Sequence, residues 1–419
     1  MLSVLRSTWP LLLGVMLLMV GNGMQGTLLG IRGALEGIGT YKMSMVMSAY
    51  FVGFLLGSHF TPQMIARVGH VRVFAALGSM ISAVLILYPA WPNWIGWAAM
   101  RVVIGFSFSG VYITAESWLN ASVSNRMRGQ ALSAYMIVQM IGIISGQALM
   151  NVGDPGGYLL FVIPSVLVSV AFTPILLSVA PAPEFSEVRR LNFRKLFAVS
   201  PLGVVAMFLM GGVFSALFGM VSVWGTSAGL SVKQISIFVG AIYLGGLVAQ
   251  YPIGWMSDRM DRRKLILQVA IIGAAAMFAA AVLNPGFWAL VGLGAVIGGV
   301  ANPLYGLLIA YTNDYLDKTD MAAASGGLLF VNGVGAISGP PVTGWLMERT
   351  GSGGFFLYVA ILMAGIALYA GWRILRAPGR AGAYPASFAV VSPAATALAV
   401  EAVLDSGGEG GKSRGSHTA

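Results

Sequence analysis

Two charged side chains, Arg101 and Glu116, stand inside otherwise apolar stretches of this 419-residue chain. Fifteen residues apart on one helix, they are separated by about 22 Å and do not reach each other. At about 100° per residue, Arg101, Gly105, Phe108 and Tyr112 share one face, with Glu116 close to it. A charge at the centre of a bilayer costs roughly 2.5–3.5 kcal/mol, so that face should turn toward protein or water. Arg101 reads as a cavity cation that binds an anionic substrate or tunes a proton site. It reads equally as a structural arginine held by backbone carbonyls and tyrosine hydroxyls. Glu116, near the other end of its helix, is expected to pair with Arg67, Arg126 or Arg128, and a proton-carrying role is the alternative.

Uncharged polar residues in apolar surroundings mark further cavity candidates: Asn22, Gln25, Tyr112, Gln139, Tyr243, Asn302, Tyr305 and Asn332. Such groups also serve simply to hold membrane helices together. Arg32 and Glu36 are expected to make loop contacts or an outer gate. Other chemistries find no residues. Cysteine is absent, which excludes disulfides and thiolate sites. His59, His70 and His417 are scattered, so a metal site has no support. No nucleophile–base cluster points to an enzyme, no cofactor is implied, and no G-x-x-x-x-G-K-[ST] loop points to ATP.

The elements that must carry these residues are membrane helices. The chain is 57% hydrophobic and 9% charged, against about 25% charged in soluble domains. Apolar runs of spanning length fall at 10–30, 43–62, 71–90, 94–119, 129–150, 157–180, 199–224, 234–256, 265–283, 287–312, 321–347 and 354–373. The expected fold is an all-α integral membrane protein of twelve transmembrane helices in two pseudo-symmetric six-helix bundles. The first run follows Arg6 but continues to Ile31 without a small-residue cleavage site, so it reads as a helix rather than a signal peptide. The formal charge of +10 has a topological meaning rather than a nucleic-acid one. Nineteen basic residues fall in alternate connections and the tail, against Arg32, Lys42, Lys233 and Arg349 on the other side. The positive-inside rule then places both termini in the cytoplasm.

The expected organisation is a bundle at 1–180, a cytoplasmic linker at 181–198, a second bundle at 199–376 and a largely disordered tail at 377–419. Internal matches support a repeat. Asn120 and Asn313, Gly142 and Gly335, Gly146 and Gly339, Tyr50 and Tyr243, and Gly53 and Gly246 all differ by 193 positions. The loop pairs Arg67/Arg259 and Arg72/Lys264 differ by 192. Two related halves suit a carrier whose substrate lies between them.

The loop GWMSDRMDRRK, from Gly254 to Lys264, resembles the G-x-x-x-D-R-x-G-R-[RK] signature of the major facilitator superfamily. Gly254, Asp258, Arg259, Arg262, Arg263 and Lys264 match it, and Asp261 replaces the usual glycine. Arg101 and Gly105 resemble the superfamily's R-x-x-x-G motif. Arg67, Gly69 and Arg72 form a degraded first copy of the loop, in which Ala66 stands where the aspartate belongs. The stretches GNGMQGTLLGIRGALEG and AESWLN resemble the YcaD-like bacterial group. GVGAISGPPVTG, from Gly333 to Gly344, resembles a G-x-x-x-G-P pattern usually found in the fifth helix.

The resemblance implies a secondary active transporter that moves a small solute by alternating access, driven by a proton gradient and active as a monomer. The alternative is a receptor or sensor built on the same scaffold. An aspartate beside a basic loop can form charge-assisted hydrogen bonds across a helix gap, which open and close with the transport cycle. The expected cytoplasmic gate comprises Arg67, Glu116, Arg128, Gly254, Asp258, Arg259 and Asp314, with Asp314 pairing to Arg259. Amides, tyrosines and one arginine would suit sugars, small organic anions or amphipathic drugs.

Overall fold

The computed structural model describes residues 2–122, 127–176, 193–316 and 318–376. Most of the linker, from 181 to 192, and the tail from 377 lie outside the described residues. The first group of helices is α1 (Leu2–Leu35), α2 (Thr40–Val68), α3 (His70–Ala90), α4 (Trp94–Ser122), α5 (Arg128–Leu149), α6 (Leu159–Ala171) and the short α7 (Thr173–Leu176). The second is α8 (Phe193–Val199), α9 (Pro201–Ser215), α10 (Val221–Ser227), α11 (Val232–Ser257), α12 (Arg262–Leu283), α13 (Phe287–Asn313), α14 (Lys318–Thr350) and α15 (Gly354–Arg376). A π-helical turn, Ala216–Met220, joins α9 to α10.

Local sequence explains the boundaries. Gly69 takes φ 85° between α2 and α3, a conformation costly for any residue with a Cβ. Ser231 and Gln234 form a capping box at the start of α11. Asp261 caps α12, accepting the Arg263 amide. Asn284 closes α12 in the left-handed region at φ 42°. Pro201 begins α9, where its missing N–H is not needed.

The protein is an all-helical membrane fold. Ten helices among the described residues are long and apolar enough to cross a bilayer. The two further expected spans look different in the structure. The run at 157–180 yields α6, 13 residues long, interrupted at Phe172 and followed by α7. The run at 321–347 lies in α14, a 33-residue helix in which Pro340 and Pro341 and many small residues dilute the apolar character.

Packing within the two groups follows one scheme. In the first, α2 lies on α4, α1 on α5 and α6, and α3 on α4 and α6. In the second, α11 lies on α13, α9 on α14 and α15, and α12 on α13 and α15. Glycines set the closest approaches. A methyl on Gly53 would strike the carbonyl of Val102, and one on Gly105 that of Tyr50. In the second group Gly245 meets the carbonyl of Ala295 and Gly298 that of Ile242. A methyl on Gly146 would strike the Val20 carbonyl, and one on Gly339 would strike Ser215 Oγ and come within 3.0 Å of the Gly212 carbonyl. These contacts relate α1 and α2 to α9 and α11 at a spacing of 192, and α4 and α5 to α13 and α14 at 193. By contact, Gly53 therefore corresponds to Gly245 rather than Gly246, and Tyr50 to Ile242 rather than Tyr243.

Candidate substrate cavity

A cavity of about 990 Å³, its mouth included, lies where the two groups meet. From the first group α2 supplies Tyr50, Phe51, Phe54, Leu55 and Ser58. Asn22, Tyr112 and the α5 residues Gln139, Met140 and Ile143 complete that wall. Opposite stand Phe214 and Phe218, Tyr243, Asn302, and the α14 residues Leu329, Asn332, Gly333 and Ala336. The π-helical turn contributes Phe218, which stacks on Phe214 at 5.8 Å and on Tyr243 at 4.9 Å between ring centroids. π-Helical turns recur at functional sites because the extra residue re-aims its neighbours. Gln139, Asn302 and Asn332 are buried, at 3%, 4% and 6% exposure, so their amides can serve only the protein interior and the cavity.

Six of the nine residues expected in the wall line the cavity: Asn22, Tyr112, Gln139, Tyr243, Asn302 and Asn332. The other three sit one layer behind. Arg101 is 3% exposed, donates to Gln25 Oε1 at 2.5 Å and to Met47 Sδ at 3.1 Å, and lies 4.9 Å from the centroid of the Tyr50 ring. Gln25 in turn donates to Asn22 Oδ1 at 3.2 Å, and Asn22 donates to the Tyr112 hydroxyl at 2.9 Å. One hydrogen-bonded line thus runs from the buried guanidinium to the cavity wall. Tyr305 is buried edge-on behind Phe214. Glu116 is fully buried one turn beyond Tyr112.

The two groups close on each other at the end carrying the α1–α2 and α14–α15 turns, the expected outer end. There Ser222 donates to the Gly26 carbonyl at 3.4 Å and Ser48 to the Ile337 carbonyl at 2.5 Å. Gly344 packs on Ser44, and Glu348 accepts the Tyr41 amide at 3.0 Å. Arg32 pairs with Glu36 at 2.7 Å and donates to the carbonyls of Pro155 and Gly156, a loop contact within the first group.

The opposite end holds the expected gate residues, and their pairing differs from expectation. Asp314 pairs with Arg262, not Arg259. Arg262 is buried and also donates to Ser257 Oγ at 3.1 Å and to the Ala310 carbonyl at 3.3 Å, with Asp258 at 3.6 Å. Arg259 instead lies 4.2 Å over the Trp255 ring and donates to the Trp255 carbonyl. Gly254, buried in α11, accepts the Asp258 amide. Arg67 is exposed and forms no ion pair among the described residues, so it does not meet Glu116. The side chains of Arg126 and Arg128 lie outside the described residues. The ion pairs seen at this end join residues of the second group to one another.

The profile of the Major Facilitator Superfamily matches residues 11–242 and 205–404. The chain belongs to the Major Facilitator Superfamily. Among curated relatives of this superfamily, an MFS-type transporter of Enterobacter sp. (strain 638) is 27% identical over 363 residues, covering 85% of this chain and 92% of that protein. YcaD of Escherichia fergusonii is 26% identical over 362 residues, with the same coverage. Among solved structures, a variant of the nucleoside transporter NupG superposes with a TM-score of 0.74 at 15% identity, covering 87% of this chain and 99% of that one. A variant of the E. coli fucose:proton symporter FucP gives 0.57 at 15% identity, covering 88% and 99%. The protein is a multi-pass MFS transporter and not an enzyme.

For an MFS chain the wall residues absent from the sequence expectations include five aromatics: Tyr50, Phe51, Phe54, Phe214 and Phe218. Their signal was a stripe at helical spacing, but such a stripe reads first as core or lipid-facing surface.

Proposed function

We propose that the protein is a secondary carrier that moves a small solute by alternating access, with its outer side closed in this structure. The observation that carries this reading is the central cavity, lined from both helix groups and sealed at one end by contacts between them. Midplane sites between related halves, exposed to one side at a time, are the architecture of such carriers. In this reading twelve helices form bundles at 1–180 and 199–376, both termini are cytoplasmic, and the monomer is the working unit. A proton gradient supplies the energy, and Glu116, buried one turn from the cavity residue Tyr112, is the coupling carboxylate.

Purified protein in liposomes tests this. Nucleosides and sugars, the solutes named for NupG and FucP, form the first panel. Counterflow of one solute, and its accumulation against a gradient under an imposed pH difference, are expected. Glu116→Gln should keep counterflow and lose pH-driven accumulation. Retained accumulation would remove Glu116 as the proton carrier, and binding without counterflow would favour a receptor.

A further inference from the structure

The lining chemistry restricts the occupant more narrowly than the fold does. Among the described residues, no Asp, Glu, Lys or Arg lines the cavity. The nearest buried cation, Arg101, is engaged by Gln25 and Met47, with Tyr50, a wall residue, against its guanidinium. A carboxylate entering the cavity would leave water and meet no cation directly, a cost that grows as the site dries. A permanent cation would gain from the aromatic faces but would approach them with Arg101 behind the Tyr50 ring.

Four amides line the cavity, and two of them, Asn302 and Asn332, stand on the wall of the second group. The Asn302 nitrogen faces the Gly298 carbonyl at 3.2 Å, and the Asn332 nitrogen faces the Met207 carbonyl at 3.2 Å. Only an NH2 can face a carbonyl oxygen, so the hydrogen-bond network fixes both amide orientations. Each side chain therefore leaves its oxygen as an acceptor, beside the second N–H of the same amide. These acceptors share one wall with the stacked Phe218–Tyr243 pair. Acceptors beside aromatic faces match a flat ring that carries N–H or O–H groups at its edge.

We infer that the cavity selects uncharged, flat-ringed solutes that donate hydrogen bonds, and that Asn302 and Asn332 read those donors. This rests on the carrier reading for its use in transport, but not for the binding preference itself.

A matched series on one ring tests it by thermal-shift titration of the purified wild-type protein. Nicotinamide is uncharged with donors, N,N-diethylnicotinamide is uncharged without them, nicotinate is anionic and 1-methylnicotinamide is cationic. Nicotinamide should bind most tightly, with the diethyl amide about tenfold weaker per neutral hydrogen bond lost. Asn302→Ala and Asn332→Ala should each narrow the gap between those two ligands. Nicotinate or 1-methylnicotinamide binding as well as nicotinamide would overturn the inference, as would silence across the series. The wild-type series decides alone, so a variant that fails to fold changes nothing in its outcome. Failure of the carrier reading would look different: the same preference in binding, with no counterflow of labelled nicotinamide in proteoliposomes.

Discussion

Glu348, at the end of α14, accepts the backbone amide of Tyr41 in the first turn of α2 at 3.0 Å. A carboxylate from one helix group thereby caps a helix of the other, satisfying an N–H that α2 cannot pair internally. The bond exists only while the outer end is closed, so it adds to the stability of that state. An exposed anion at a helix N-terminus contributes about 0.3–1 kcal/mol. Glu348→Ala should therefore raise the open-to-closed ratio by roughly 2–5-fold. The chain has no cysteine, so Ser44→Cys, at a position buried in the seal, gives a single reporter thiol. Its alkylation should quicken in the Glu348→Ala background. An unchanged rate would mean that the cap does not bias the equilibrium.

Glycine approaches give a second test. Gly105→Ala and Gly298→Ala each push a methyl into a backbone carbonyl of the facing helix. Backbone cannot step aside as a side-chain tip can, so a loss of about 1–3 kcal/mol is expected for each. Gly240→Ala, where nothing lies within 4 Å, should be neutral or stabilise by about 0.5–1 kcal/mol, since alanine costs less chain entropy in a helix. Thermal denaturation of the three variants in one detergent checks the ranking.

The buried Arg262 supplies a third. Asp314→Ala leaves that guanidinium without its closest carboxylate, at an expected cost of about 1–3 kcal/mol. Arg259→Ala removes a half-exposed ring contact and should cost less than about 1 kcal/mol. A larger loss for Arg259→Ala than for Asp314→Ala would restore Arg259 as the principal cation at that end.

Acid should act on Asp261. Partial burial raises its pKa, but hydrogen bonds from the Arg263 side chain and amide, together with the Arg263 and Lys264 charges, outweigh this and hold the carboxyl below its usual range. A depressed folded pKa means that the stabilisation is present above the unfolded value near 4. It is lost as pH falls through the folded value. Thermal stability should therefore show an acid limb below about pH 4 that Asp261→Asn flattens. Asparagine keeps the cap but not the charge, so stability at neutral pH should fall by about the height of that limb. An identical acid limb in the variant would assign it to other carboxylates.

The helices and the polar cavity residues were legible because apolar length and isolated amides leave direct marks in the sequence. Asn302 and Asn332 lie in the wall for that reason. Arg101 was legible as a buried charge, but its distance from the cavity was not, since that depends on Tyr50 standing between. Phe214 and Phe218 were hidden because an aromatic residue looks the same facing a cavity, a core or lipid, and the π-helical turn that aims Phe218 has no sequence mark. Arg262 and Arg259 are neighbours in one basic loop, and only the rotation of α12 decides which of them turns inward to Asp314. Pairing between the groups at the outer end was out of reach, because Tyr41 and Glu348 are 307 residues apart.

The step from 192 to 193 in the glycine register also bears on ancestry. If both groups descend from one doubled gene, a single codon was gained or lost after the copies diverged. The contacts confine it between α2 and α4 in one copy, or α11 and α13 in the other. There α3 has 21 residues and α12 has 22. One added residue turns whatever follows it on a helix by about 100°. Within α2, α4 or α5 that would have swung the close-packed glycines out of their contacts. Neither α3 nor α12 contributes to the cavity wall, and the turns after them can absorb the rotation. On that descent, drift in length has been tolerated at the periphery, while the helices around the cavity have kept step.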